Sequence, residues 1–235
     1  MLRRIWRRIA LATLAPDARA IVNDRLTYLG AGKIRRIEDA VRRVDAAGVT
    51  GDFVEFGVAL GGSGILLARR AGSRRRFHGL DVFGLIPPPT PPKDGPESTQ
   101  RYDVIAAGRS TGLGGDTYYG YRENLFAEVE ASFRRHDVPV DGDRVQLHKG
   151  LFEDTWPALN IQKIALAHID CDWYDPCRFC LEAVADRVPA GGILILDDYH
   201  TYSGCRAATD EFTVAHPWFS FEDGPNPFLV RQSVS

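Results

Sequence analysis

Apolar positions recur along the chain with two different periods. Over residues 33–47, KIRRIEDAVRRVDAA, the apolar Ile34, Ile37, Val41 and Val44 fall at helical spacing with charged residues between them, and Gly48 supplies a stop. This spacing predicts a surface helix that feeds a core. Beyond it, short β-type runs alternate with longer helical ones, and residues 52–57, 76–81, 144–149, 164–170 and 192–197 are predicted strands. Two of them, Ile164–Ile169 and Ile193–Leu196, are almost wholly apolar, as strands covered on both faces are. Strands separated by helices imply right-handed crossovers, so the expected fold is a three-layer α/β domain on a parallel sheet. Near the end, WFSFEDGPNPFLVRQ predicts two aromatic-rich strands around a Gly-Pro-Asn-Pro turn, a terminal hairpin on the sheet edge.

Two stretches break this rhythm. Residues 86–120 open with PPPTPPKDGP and continue through GRSTGLGGDTYYGY, too rich in Pro and Gly for continuous helix. A connection of that length is usually functional or disordered, and a lid-like loop is expected. The first fifteen residues, MLRRIWRRIALATLA, set Arg3, Arg4, Arg7 and Arg8 beside Leu2, Ile5 and Trp6. A small-residue cleavage site is lacking, since Pro16 and Asp17 follow directly, so a signal peptide is a poor reading. A basic amphipathic helix in peripheral contact with anionic lipid and a solvated or partner-packed helix both stay open, the second being commoner. The chain divides into an N-terminal helical segment, 1–48, and a main domain, 49–235.

Composition narrows the class. A length of 235 residues suits one main domain, and 44% hydrophobic with 26% charged residues is ordinary for a globular chain. The balance of 29 basic and 31 acidic residues leaves a net charge of -2, which calls for no nucleic-acid partner. No run approaches the roughly 20 apolar residues of a membrane span. Four cysteines fit a reducing, cytoplasmic setting. Assembly into a homo-oligomer is left open.

Candidate chemistry begins where the first strand should turn into a helix, in Val54-Glu55-Phe56-Gly57-Val58-Ala59-Leu60-Gly61-Gly62-Ser63-Gly64. Glycines there let backbone approach a ligand, and a helix N-terminus offers unpaired N–H groups to a carboxylate or phosphate. The spacing is neither that of a dinucleotide fingerprint nor that of a Walker loop. Asp81, at the end of the next strand, is placed to accept both hydroxyls of a ribose. Glu55 adds an acid for an ammonium group, the alternative being a simple Arg partner. Carboxylate, ribose and ammonium together describe S-adenosylmethionine.

A second constellation joins His168-Ile169-Asp170-Cys171-Asp172 to Leu196-Asp197-Asp198-Tyr199-His200. If these two strands are neighbours, Asp170, Asp197 and Asp198 converge beyond the carboxyl edge of the sheet, where like charges repel. A hard divalent cation relieves that repulsion, and oxygen ligands suit Mg²⁺. Helix capping is the alternative for any single Asp. His168, inside a strand, is expected to be a hydrogen-bonded core or cleft residue rather than a ligand. Cys177 and Cys180 are expected to be buried as small apolar residues.

These residues resemble the macrocin O-methyltransferase-like family of S-adenosylmethionine-dependent class I methyltransferases. The likeness covers residues 26 to about 212, through GDFVEFGVALGGS, GLFEDTWP, HIDCDWYD and GGILILDDYHTYSGC. It implies a single-domain Rossmann-like fold whose seven-stranded, mostly parallel sheet ends in an antiparallel hairpin, with helices on both faces. It further implies that Asp170, Asp197 and Asp198 match magnesium ligands, and that Glu55, Phe56, Gly57, Val58, Gly61, Gly62, Ser63 and Asp81 match cofactor-binding segments. Thr27, Tyr28, Phe152, Asp154 and Thr155 would border the cofactor on the same ground. The implied reaction is Mg²⁺-dependent methylation of a hydroxyl on a sugar, glycan or glycosylated small molecule. Characterised relatives carry a His general base in the long loop, yet residues 87–125 hold none. Asp116, Tyr118 and Tyr119 occupy that loop, while Asp172 and His200 flank the metal acids; His200 is preferred because an imidazole titrates nearest neutrality. A metal-dependent hydrolase, a sugar-nucleotide enzyme and a non-catalytic component of a glycan-modifying assembly are the rival readings.

Overall fold

The computed structural model describes residues 10–233, so the arginines of the N-terminal start lie outside the described residues. Seven strands form one sheet: β1 (Asp52–Phe56), β2 (Phe77–Asp81), β3 (Val145–Lys149), β4 (Ile164–Ile169), β5 (Ile193–Leu196), β6 (Phe219–Glu222) and β7 (Phe228–Arg231). Their order is β3-β2-β1-β4-β5-β7-β6. The first five pair in parallel, while β7 runs antiparallel to both β5 and β6. Each predicted strand is present, trimmed by a residue or two at its ends. Within the hairpin, the second strand takes the inner place because Phe228 and Leu229 are fully buried there.

Helices cover both faces. On one side lie α1 (Pro16–Asn23), α2 (Ala31–Ala46), α3 (Gly62–Ala71) and α5 (Leu125–Arg135). The predicted stripe of Ile34, Ile37, Val41 and Val44 is the buried face of α2 and joins the same core as Phe53 and Ile195, each side chain contributing about 2 kcal/mol. The N-terminal segment therefore shares the core of the main domain. On the other side α7 (Tyr174–Ala185) and α8 (Ser203–Ala215) bury Leu181, Val184, Ala208 and Phe212 against Leu194 and Leu196. Among the described residues no helix is long and apolar enough to cross a membrane.

The 86–120 connection differs from expectation, since α4 (Pro96–Ala106) occupies its middle. Gly95 and Pro96 open this helix, and the ten residues after Pro96 contain neither Pro nor Gly, so nothing interrupts it. The segment is fastened to the main body. Trp173 Nε1 donates to Pro87 O at 2.9 Å, the Tyr174 amide at the start of α7 donates to buried Asp94 at 2.9 Å, and the Ser203 amide at the start of α8 donates to Glu97 at 3.1 Å.

Candidate active site

The sheet reverses its winding between β1 and β4, and the crevice beyond their carboxyl ends is where open α/β sheets bind ligands. A cavity of about 580 Å³ occupies that place. Among the described residues seven acids line it, Asp81, Glu153, Asp170, Asp172, Asp175, Asp197 and Asp198, against two basic residues, Lys33 and Arg101. Its electrostatics favour cations.

At one end, the turn after β1 meets Asp81. Val58 and Ala59 amides donate to Asp81 Oδ2 at 2.9 and 2.8 Å, and the Phe83 amide donates to Oδ1 at 2.6 Å. Burial pushes the Asp81 carboxyl upward, with the three amides opposing it. A carboxylate has about four acceptor sites, so one remains for a ligand hydroxyl rather than the two expected from sequence. Gly57 (φ 94°) sits so close to β4 that an added Cβ would lie 1.8 Å from Asp170 O. Gly57, Val58, Ser63, Asp81, Thr27, Tyr28 and Phe152 all line the cavity.

Other predicted cofactor residues stand elsewhere. Glu55 is fully buried under the turn and does not line the cavity; its Oε1 meets His168 Nδ1 at 2.9 Å and its Oε2 has no partner. Strand alternation turns it into the sheet face instead. Phe56 points to the opposite face, among Phe152 and Trp156. Gly61 and Gly62 serve close packing: a Cβ on Gly61 would press on Phe133 and Val129 at 3.1 Å, and one on Gly62 would fall 2.4 Å from Leu26 O. Asp154 and Thr155 lie in the short helix α6 (Phe152–Thr155) off the cavity wall, with Thr155 Oγ1 donating to Leu151 O at 2.9 Å.

At the other end, Asp170, Asp172, Asp197 and Asp198 line the wall together. Register pairs Ile169 with Leu196, which sets Asp170 level with Asp197. Lys33 Nζ reaches from α2 to donate to Asp197 Oδ2 at 2.6 Å and to Asp197 O at 2.8 Å, while Asn226 Nδ2 donates to Oδ1 at 3.1 Å. Asp198 Oδ2 accepts the Asp172 amide at 3.0 Å, with Asp172 in the left-handed region at φ 59°. Such a residue costs about 1–3 kcal/mol and is held by its surroundings. Burial and then the neighbouring aspartates push Asp170 and Asp172 well above the usual carboxylate range, and burial and Asp197 lift Asp198 to about 6. Burial also pulls Asp197 upward, but His168 and Lys33 outweigh it and hold that carboxyl below its ordinary value. His168 responds in kind: burial lowers its pKa, yet Asp197 and Glu55 raise it to about 9.

Between the two ends stand Tyr118 and Tyr119, which the sequence reading noted in the long loop, together with Trp173, Tyr202 and Arg101, to which it gave no role. Lys33 was legible only as one more charge on an amphipathic helix. The preferred base also moves: His200 is an exposed side chain outside the cavity wall, with Nε2 2.9 Å from Asp223 Oδ1. Asp172 remains at the wall. Cys177 and Cys180 are buried as expected, with Cys177 Sγ 3.3 Å from Cys205 Sγ and Cys171 Sγ 3.9 Å from Cys180 Sγ.

The sequence pattern of the macrocin-O-methyltransferase (TylF) family matches residues 13–218. The chain is 29% identical over 196 residues to a Streptomyces olivaceus enzyme, 8-demethyl-8-(2,3-dimethoxy-alpha-L-rhamnosyl)-tetracenomycin-C 4'-O-methyltransferase, covering 79% of this chain and 67% of that one. It is 30% identical over 197 residues to the demethyldecarbamoylnovobiocin O-methyltransferase of Streptomyces niveus, with the same coverage of 79% and 67%. The mycinamicin III 3''-O-methyltransferase of Micromonospora griseorubida is 28% identical over 197 residues, covering 81% and 71%. Among solved structures, the O-methyltransferase NovP superposes with a TM-score of 0.72 at 25% identity, covering 89% of this chain and 83% of that one. The chain belongs to the macrocin O-methyltransferase family and is an O-methyltransferase.

Proposed function

We propose that the enzyme moves the methyl group of S-adenosylmethionine onto a hydroxyl of a sugar or glycosylated small molecule, with a divalent cation, Mg²⁺ in the first instance, at the aspartates. The observation that carries this reading is the meeting of two unlike wells in one cavity. One is a glycine-floored turn beside Asp81; the other is a group of acids with more negative charge than Lys33 can offset. Two of the relatives act, by their names, on a rhamnosyl tetracenomycin and on mycinamicin III.

The residues fit both groups. Gly57 lets the turn pack directly on the Asp170 carbonyl and so bring its backbone to the cavity wall, Asp81 keeps one acceptor site for a ribose hydroxyl, and Thr27, Tyr28, Val58, Ser63 and Phe152 wall the donor well. Oxygen donors from Asp170, Asp197 and Asp198 suit a hard cation, which when bound supplies positive charge that eases loss of the acceptor's proton. Asp172, at the wall beside them, takes that proton as general base. Trp173, Tyr118 and Tyr202 give the acceptor an apolar wall and exclude water from the donor. Lys33 and Asn226 hold Asp197 in place. Orientation then carries much of the rate, since the reacting atoms must be held about 3–3.5 Å apart.

The test is calorimetry with S-adenosylhomocysteine, followed by turnover with labelled S-adenosylmethionine, Mg²⁺ and a panel of glycosides. Binding of the donor product together with chelator-sensitive labelling of a glycoside is the expected result. Absence of S-adenosylhomocysteine binding overturns the donor assignment, and labelling that survives thorough chelation overturns the cation.

A further inference from the structure

The helix α4 carries a charge where an amphipathic helix would bury an apolar side chain. Ser98, Arg101 and Ile105 share one face of it, and the two outer members are buried. Arg101, partly buried between them, opens with Ile105 onto the cavity. The helix is held in that position, because Asp94 and Glu97 accept the amides that start α7 and α8. A guanidinium taken partly out of water costs free energy unless it finds a partner. Yet among the described residues Arg101 makes no ion pair and no side-chain hydrogen bond, whereas Lys33, the other cation of the cavity wall, is spent on Asp197.

The free guanidinium is also oriented. Its Cζ lies 5.6 Å from the centroid of the Tyr118 ring, a contact that steadies the group and leaves its N–H donors unspent. Burial raises the Tyr118 phenol, Asp172 adds to the rise and Arg101 opposes it, so this ring feels the acid wall and the guanidinium at once. A fork of N–H donors matches a carboxylate or a phosphate, taken by two parallel hydrogen bonds. We propose that Arg101 binds such an anionic group on the acceptor, so that the enzyme prefers acidic sugars to their neutral counterparts. This deepens the methyl-transfer reading above and rests on it: the acceptor hydroxyl meets the aspartate end of the cavity while an anionic substituent of the same sugar meets α4.

Calorimetric titration of the full chain, saturated with S-adenosylhomocysteine and Mg²⁺, tests this without reference to turnover. The probes are matched methyl glycosides of gluco, galacto and manno configuration, each as the neutral hexoside, the uronide and the phosphorylated hexoside. In at least one configuration an acidic member is expected to bind about tenfold or more tighter than the neutral one, and the better of the two names the anion. Arg101→Gln should cost that acidic member about tenfold and the neutral one less than about twofold, with Arg101→Lys between, while unchanged S-adenosylhomocysteine binding reports that both variants fold. Neutral and acidic members bound alike by the wild type, or weakened alike by Arg101→Gln, overturn the proposal. An acidic preference that survives Arg101→Gln also overturns it, and its loss in chelator then assigns the anion to the cation. Binding of none of the sugars to the S-adenosylhomocysteine complex overturns it together with the sugar acceptor, whereas failure to bind S-adenosylhomocysteine overturns the donor assignment on which it rests.

Discussion

Substituting Gly57 by Ala strikes the seam between the two wells. Its Cβ would lie 1.8 Å from the Asp170 carbonyl oxygen and 2.9 Å from the Asp170 carbonyl carbon, and the φ of 94° is one an L side chain rarely adopts. The ends of β1 and β4 must therefore part by more than about 1 Å. Left-handed strain costs about 1–3 kcal/mol and overpacking about as much again, so the variant is expected to lose about 4 kcal/mol. That is a large share of a stability of roughly 5–15 kcal/mol. A displacement of that size between donor and acid should also cost about 100-fold in turnover where the protein stays folded. Urea unfolding gives the stability and labelled-methyl transfer at low temperature gives the rate. A Gly57→Ala variant within about 1 kcal/mol and tenfold of wild type would refute the close approach and the argument built on it.

Asp172→Asn should lower turnover about 10²–10⁴-fold while S-adenosylhomocysteine binds as before by calorimetry; unchanged turnover assigns the base elsewhere. Lys33→Met leaves largely buried Asp197 without its ammonium partner and is expected to lower stability in chelator by about 3 kcal/mol, read by urea unfolding. His148, whose pKa burial and His78 depress to about 4, contributes stability that is present above its ordinary value of 6.5 and lost as pH falls through that window toward 4. Replacing it with Leu should flatten stability against pH across that range, and a profile as steep as the wild type would contradict the cause. Substituting His200 by Ala should leave turnover within about threefold, since its exposed ring pairs with Asp223 outside the cavity.

Much of this architecture was legible from periodicity. The apolar runs gave the strands, the stripe on residues 33–47 gave the helix, and the turn residues Gly224, Pro225, Asn226 and Pro227 gave the hairpin. The acids at the strand ends were legible because each follows an apolar run directly. What stayed hidden depends on partners distant in sequence. Lys33 lies 164 residues from the carboxylate it holds, and nothing local separates it from the charges around it. Glu55 looked like a ligand group because it flanks a glycine turn, but the strand's alternation sends it beneath the turn to His168. The same period-two rule places His168 on the face of Glu55, where it is the hydrogen-bonded core residue expected from its position inside a strand. The helix at Pro96–Ala106 was masked by the prolines and glycines on either side of it.

The most direct test of the central claim is the nuclear relaxation of the [¹³C]methyl group of S-adenosylmethionine bound to the enzyme with Mn²⁺ and no acceptor. One shared cavity predicts strong paramagnetic enhancement that excess Mg²⁺ removes and that Asp197→Asn abolishes. Donor and Mn²⁺ both bound, with the methyl group relaxing as it does in Mg²⁺, would contradict it.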